Sequence, residues 1–353
     1  MPQFDETGAT RTASVTRRAL VKTAGLGVGA GLATAWLPGA ATAQETSGEV
    51  WSNEYYAKKG SVSLYCYRKR IGAPRVGEAA KPVVFMVHGS SMSARATYDL
   101  TVPGAGDYSI MDALARSGFD VWSVDHENYG RSSRTDSNSD VASGAADLKA
   151  CAELVAKETG QTKFSFVGES SGGLRAGVLA MDHPELIHKL VLLAFTYTGA
   201  GSPTLARRAE QTEFYRTHNR RPRDRDMIRS IFTRDKEGTS DARVAEALAD
   251  AELQFGAEVP TGTYLDMTAN MPVVHPEKVL APVLMITGEF DGNSTLEDSL
   301  EFYQRLPNGD RQFVLLANTA HSTTLSLNRK QVWHAVSAFL SEPLDATSLH
   351  SKA

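Results

Sequence analysis

Gly168-Glu169-Ser170-Ser171-Gly172 sets a serine between two glycines, each two positions away. The short apolar run 164–167 precedes it, and a helix-like stretch over 172–181 follows. A sharp strand-to-helix turn at this point forces the central residue into a strained backbone conformation and projects its hydroxyl. Small residues are needed on both sides because the backbone crowds there. The same turn sets Ser170 at a helix N-terminus, whose dipole favours developing negative charge. That is the chemistry of a nucleophilic serine. Ser171 is the rival, but choosing it would put Glu169 where a small residue is wanted.

A serine hydroxyl is a weak nucleophile until a base removes its proton. The chain has nine histidines. His321 follows the apolar run 313–316 and is flanked by small residues, in Ala317-Asn318-Thr319-Ala320-His321-Ser322, as suits a loop that closes over a serine. His183 and His275 both precede prolines and read as structural. The imidazole needs a carboxylate on its far nitrogen to fix its tautomer. Asp291 follows the strand-like run 283–287 in Gly288-Glu289-Phe290-Asp291-Gly292, with Glu289 as its competitor. Asp298, in the helix-like stretch beyond, reads as a solvated surface charge. Donors for a tetrahedral oxyanion are expected from the backbone N–H of Ser171 and of Ser90, the latter in His88-Gly89-Ser90-Ser91 after the run 83–87. His88 reads as packing that loop.

These loops need a frame. Strand-like and helix-like segments alternate through the chain, which predicts a mostly parallel, twisted sheet with helices on both faces. Strands are expected over 61–70, 83–87, 119–124, 164–167, 190–195, 283–287 and 313–316, and helices over 109–116, 144–157, 172–181, 296–306 and 327–340. The rhythm breaks between 196 and 275, where no strand is expected and 204–217 and 241–255 read as amphipathic helices. That segment is far longer than one crossover needs and is expected to be an inserted helical cap on a core formed by 44–195 and 276–353. Its arginines, from Arg207 through Arg220, Arg221, Arg223 and Arg225, are interrupted by acids and read as a solvated mixed-charge face. The alternative is a lid that attracts an anionic substrate, in which Arg220, Arg221 and Arg223 would act.

The chain resembles the α/β-hydrolase superfamily in His88-Gly89, Asp125 to Ser132, Gly168 to Gly173, Asp291 and His321. The resemblance covers nearly everything after residue 43 outside 196–275. It implies the base in the loop after the last strand and the chain order Ser170, Asp291, His321. The superfamily's D-x-x-G-x-G-x-S turn stands here as Asp125-His126-Glu127-Asn128-Tyr129-Gly130-Arg131-Ser132, with asparagine in a glycine position. Asparagine tolerates the left-handed conformation, so the turn is expected to form. His126, Glu127 and Tyr129 read as surface loop residues. A serine nucleophile sets the chain apart from relatives that carry aspartate there.

Residues 1–43 resemble a twin-arginine export signal. Thr16-Arg17-Arg18-Ala19-Leu20-Val21-Lys22 precedes a Gly/Ala-rich stretch and the small triplet Ala41-Thr42-Ala43, with cleavage expected after Ala43 and a periplasmic or secreted product. No later segment is apolar for the ~20 residues a membrane span needs. The net charge is −4, without a polybasic run, which gives no support for nucleic-acid binding. Cys66 and Cys151 lack metal-ligand spacing and are expected as two buried thiols. No metal or cofactor is implied. The leading expectation is a hydrolase that cleaves a small-molecule carboxylic ester through an acyl-serine. The alternatives are an amidase- or aminopeptidase-like enzyme, a C–C bond hydrolase or a perhydrolase with the same three residues, and a non-catalytic binding protein of the same fold.

Overall fold

The computed structural model describes residues 48–342. The expected export signal, 1–43, lies outside the described residues. Eight strands form one sheet: β1 (Val50–Lys59), β2 (Val62–Ile71), β3 (Val83–Val87), β4 (Asp120–Val124), β5 (Phe164–Glu169), β6 (Ile187–Leu193), β7 (Val283–Gly288) and β8 (Arg311–Leu316). Their spatial order is β1-β2-β4-β3-β5-β6-β7-β8. β2 runs antiparallel to β1 and to β4, and every other pairing is parallel. This is the mostly parallel sheet that the alternating segments predict.

The central strands are apolar on both faces because helices cover both. In β3, Val83, Phe85 and Val87 join a core with Leu148 and Cys151 of helix α2 (Val141–Thr159), Leu174 and Leu179 of α3 (Ser171–Asp182), and Phe302 of α4 (Leu296–Arg305). Val84 and Met86 point the other way, into a second core with Met111 and Leu114 from helix α1 (Ile110–Arg116) and Val332 and Trp333 from the helix Arg329–Ser341. Helix α2 starts three residues before the expected 144, because the Asp140 carboxylate accepts the Ser143 N–H (2.7 Å) and caps it. It stops at Gly160, in the left-handed conformation (φ 71°). Strand β1 was not expected. Its run of exposed Ser52, Asn53 and Glu54 hides the alternation, as an edge strand permits.

Between β6 and β7, which are hydrogen-bonded neighbours, come the helices Pro203–Ala209, Thr212–Thr217, Arg225–Thr233, Ala242–Leu253 and Gly262–Leu265. The helix expected over 204–217 is two, separated by a turn in which the Gln211 N–H donates to the Arg208 carbonyl (2.9 Å). The expectation of no strand here is corrected: Arg220–Pro222 pairs antiparallel with Glu258–Pro260. Three residues containing a proline carry too little pattern to read as a strand. Ile228, Ile231 and Phe232 pack with Val244 and Leu248 in a third core, shared with Leu100 and Tyr108 from the hairpin Asp99–Thr101/Asp107–Ser109 and with Leu325.

Candidate active site

Ser170 sits between β5 and α3 with φ 57° and ψ −127°, outside the regions an L-residue favours. Its N–H donates to the Leu193 carbonyl (2.8 Å), and its carbonyl accepts the Gly173 N–H (2.9 Å). The flanking glycines are steric requirements. A β carbon on Gly172 would lie 2.1 Å from the Val87 carbonyl oxygen, and one on Gly168 would lie 2.5 Å from the Gly172 carbonyl oxygen. The strain at Ser170 is therefore fixed by backbone packed against backbone.

Three strand ends converge here. His321, after β8, has Nε2 3.0 Å from the Ser170 hydroxyl. Its Nδ1 lies 2.9 and 3.1 Å from the two carboxylate oxygens of Asp291, after β7. Asp291 Oδ1 also accepts the N–H groups of Asn293 (2.8 Å) and Ser294 (3.1 Å). With the Nδ1 proton donated to Asp291, Nε2 is the acceptor that faces the serine. Glu289, the competing carboxylate, is exposed and accepts the Asn318 N–H (2.8 Å) instead.

Two neighbours were not singled out in the sequence. The Asn293 amide nitrogen lies 3.0 Å from the same Nε2, and its oxygen accepts from Arg234 (3.3 Å). Glu169, beside the serine, turns away from it and holds the loop that carries His321. Its Oε1 accepts the Thr323 N–H (2.8 Å), the Thr323 hydroxyl (2.7 Å) and the Thr324 N–H (3.2 Å), and its Oε2 accepts the Thr324 hydroxyl (2.9 Å). A carboxylate in the elbow with two threonines after the histidine is the signal that could have revealed this.

Gly89 brings the loop after β3 against the serine: a β carbon there would lie 3.3 Å from Ser170 Cβ. The Ser90 and Ser171 hydroxyls are 2.8 Å apart, Thr263 donates to the Ser90 hydroxyl (2.8 Å), and the Tyr129 hydroxyl donates to the Ser90 carbonyl (2.9 Å). The Ser171 N–H opens α3, where no intrahelical acceptor exists for it. Ser171 is fully buried, with its hydroxyl turned to Ser90. His88 is buried as the packing residue of this loop, its Nε2 accepting the His126 N–H (3.1 Å). Burial, then the neighbouring His126 and Arg175, hold its pKa well below the ordinary histidine value.

Two readings are corrected. His126, Glu127 and Tyr129 are buried, not on the surface. Lys59, from the unexpected β1, makes this possible by reaching Glu127 (2.8 Å) and Asp147 (2.5 Å), and Asp147 also faces His126 Nδ1 (3.2 Å). Asp298 is buried as well. It accepts the N–H groups of Tyr197 (2.8 Å) and Thr198 (2.9 Å), where the chain leaves β6. Asn128 takes the left-handed conformation (φ 73°) and donates to the Ser139 hydroxyl (2.9 Å). Cys66 and Cys151 are buried free thiols with their sulfurs 3.3 Å apart, and burial pushes the Cys151 thiol up.

Ser170 and His321 open into a small cleft of about 60 Å³, walled by Gly89, Ser90, Met92, Ile231, Arg208 and Arg234. Of the three arginines expected to act in a lid, only Arg221 lines the neighbouring hollow, which shares Ser91, Arg208, Ile231 and Arg234 with the cleft. Arg223 is buried against Glu252 (2.5 Å), and Arg220 donates to the carbonyls of Ser137 (2.6 Å) and Thr135. Among the described residues no cluster of His, Cys, Asp or Glu could hold a metal ion, and no helix is long and apolar enough to cross a membrane.

Residues 78–327 match the sequence profile of the family described as serine aminopeptidase, S33. A 2-hydroxy-6-oxononadienedioate/2-hydroxy-6-oxononatrienedioate hydrolase of Paraburkholderia phymatum is 31% identical over 133 residues, which is 36% of this chain and 39% of that protein. The aligned region thus spans about two fifths of that relative's length. Among solved structures, a bromoperoxidase from Bacillus anthracis superimposes with a TM-score of 0.60 at 20% identity, over 82% of this chain and 100% of the other. The carboxylesterase CesB of Bacillus subtilis does so with a TM-score of 0.61 at 16% identity, over 83% and 93%. At these identities the two structures share the fold.

Proposed function

Because the chain belongs to the serine aminopeptidase S33 family of α/β hydrolases, we propose that it is a serine hydrolase that cleaves a carboxylic ester through an acyl-enzyme on Ser170. The observation that carries this reading is the hydrogen-bonded line from the Ser170 hydroxyl through His321 to Asp291. His321 Nε2 takes the hydroxyl proton as the serine oxygen attacks the carbonyl carbon. It then returns that proton to the departing alkoxide, leaving acyl-serine and free alcohol. Water attacks the acyl carbon in turn, giving its proton to His321, and the carboxylic acid and Ser170 are released. Asp291 holds the imidazole tautomer and stabilises the imidazolium. The N–H groups of Ser90 and Ser171 receive the oxyanion, each typically worth about 3 to 4 kcal/mol.

The charge of the cleft favours an ester over an aminopeptidase substrate. A free α-ammonium needs a carboxylate to receive it, and the lining carboxylate, Glu169, is committed to Thr323 and Thr324. C–C bond hydrolysis is the second reading. It is favoured by the local similarity to the dienedioate hydrolase. We read 196–275 as a cap, since Arg208, Ile231 and Arg234 wall the cleft over Ser170. We also read 1–43 as a signal that sends the protein through the twin-arginine machinery to the periplasm or beyond.

The test is labelling with a fluorophosphonate followed by peptide mapping, alongside turnover of short p-nitrophenyl esters. The expected result is one labelled serine, Ser170, and ester turnover that Ser170→Ala abolishes. A label on Ser171, or an unimpaired Ser170→Ala variant, refutes the mechanism.

A further inference from the structure

Most arginines between β6 and β7 are neutralised where they stand. Arg216 meets Glu213 (3.3 Å), Arg225 meets Glu246 (3.0 Å) and Asp250 (2.6 Å), Arg229 meets Glu246 (2.5 Å), and Arg243 meets Asp241 (2.5 Å). Arg223 and Arg220 are tied down as described above. Arg207, Arg208 and Arg221 differ: no carboxylate among the described residues pairs with any of the three guanidiniums, and of these Arg207 is exposed and bonds the Thr204 hydroxyl (3.4 Å). Arg208 lines the cleft at Ser170 and also the neighbouring hollow, which shares Ser91, Ile231 and Arg234 with that cleft; Arg221 lines the hollow, and both arginines are half-buried.

What they share is Tyr264. Its ring is fully buried, its hydroxyl bonds the Ser91 hydroxyl (2.7 Å), and the guanidiniums of Arg208 and Arg221 sit 5.2 and 4.7 Å from its centroid. An aromatic face steadies a guanidinium without using its N–H donors. Arg234 adds a third positive group on the same wall, partly offset by Asp235 (3.3 Å). Burial, then repulsion from Arg234, lowers the Arg208 pKa to about 10, which leaves it cationic at neutral pH. Two unpaired, partly desolvated guanidiniums on one tyrosine, next to the cleft of a nucleophile, are a costly arrangement unless an anion completes it.

We propose that Arg208 and Arg221, stacked on Tyr264, form a carboxylate-binding subsite, so that the substrate is an acyl compound carrying a carboxylate away from the scissile bond. The planar fork of each guanidinium matches a carboxylate through paired N–H···O bonds. The inference rests on the reading of Ser170 as the catalytic nucleophile.

The experiment compares esters with and without the second carboxylate, on either side of the scissile bond: p-nitrophenyl monoglutarate against p-nitrophenyl hexanoate, and 4-acetoxybenzoate against phenyl acetate. The wild-type protein is expected to prefer the anionic member of at least one pair in kcat/KM. In Arg208→Gln and in Arg221→Gln that ratio should fall about tenfold or more, chiefly through KM. Arg225→Gln, which removes a charge already paired outside the cleft, should leave the ratio unchanged. A second measurement needs no turnover: glutarate should bind the Ser170→Ala protein by calorimetry, and the Arg208→Gln change should weaken it by a similar factor. Esters turned over without anionic preference and no glutarate binding would overturn the subsite and leave the esterase reading standing. Glutarate binding lost with Arg208, but no turnover of any ester, would keep the subsite and overturn the esterase reading.

Discussion

Glu169→Ala is the most informative single change outside the three central residues, because it separates holding the histidine from being the histidine. The carboxylate accepts four hydrogen bonds from Thr323 and Thr324, at 2.7 to 3.2 Å. A bond to an ionised acceptor is worth about 1.5–3 kcal/mol, and four of them set a gross loss near 6–12 kcal/mol. Glu169 borders the open cleft, however, so water can serve the orphaned donors, and a net loss of about 2–4 kcal/mol in folding stability is expected. The effect on turnover is larger in proportion. His321 lies two residues before Thr323, and a displacement of about 1 Å at a catalytic group costs on the order of 10²-fold. Thus kcat should fall about 100-fold with KM nearly unchanged. Glu169→Gln keeps one acceptor oxygen, and the Thr324 hydroxyl can rotate to accept from its amide, so a loss of only about 5–10-fold is expected. The assay is steady-state ester hydrolysis with thermal unfolding on the same samples. A lowered Tm with wild-type kcat per folded molecule, in the Ala variant, would refute the argument that Glu169 positions His321.

Ser170→Ala and His321→Ala should each cost about 10⁴–10⁶ in kcat, and the double variant should cost little more; additive losses would show that they do not act as a unit. Burial pushes the Asp125 carboxyl up to about 6 from 3.8. The native state therefore holds a proton that the unfolded chain releases, so this contribution to stability is full below pH 3.8 and is lost as pH rises through about 6. Asp125→Asn should flatten that part of the stability profile, measured as urea midpoints, and an unchanged profile counts against it. Gly172→Ala should yield no soluble native protein, since its β carbon would meet the Val87 carbonyl at 2.1 Å; an active variant would contradict the elbow geometry. Arg17→Lys with Arg18→Lys should trap precursor in the cytoplasm, whereas normal export of that double variant would remove the twin-arginine reading.

The elbow was legible in the sequence because its steric demand is local: two glycines and an apolar run state it within a dozen residues. Asp291 and His321 were legible because chain order fixes which strand ends carry them once the sheet is known. Buried charge was not legible. Asp298 reads as a surface residue until Tyr197 and Thr198, about a hundred positions earlier, offer it backbone N–H groups. Glu127 reads the same way until Lys59 arrives on a strand whose polar middle conceals it. The arginines between β6 and β7 divide: Arg216, Arg225 and Arg229 lie in exposed mixed-charge pairs, as expected, whereas Arg223 is buried on Glu252. Their charges are evenly spread in sequence, but pairing with acids from neighbouring helices sorts them, and only the structure shows which are left over.

The pairing of Arg223 with Glu252 reaches past the segment that contains both. Arg223 also donates to the Ser91 carbonyl (2.9 Å), and Glu252 accepts the Ser93 N–H and hydroxyl (2.6 Å each). The loop after β3 is thus bolted down by the segment between β6 and β7. Because β6 and β7 are adjacent strands, the segment between them looks like a cassette that could be exchanged between relatives by cutting at its two ends. The bolt says otherwise. A chimera that imports a foreign segment 196–275 would leave Ser91 and Ser93 facing the wrong partners, next to the Ser90 N–H that the proposed mechanism uses. The exchangeable unit is therefore expected to be discontinuous: residues 90–109, with their hairpin, should travel with the segment between β6 and β7, and recombination points that respect both pieces are the ones expected to keep a folded, active protein.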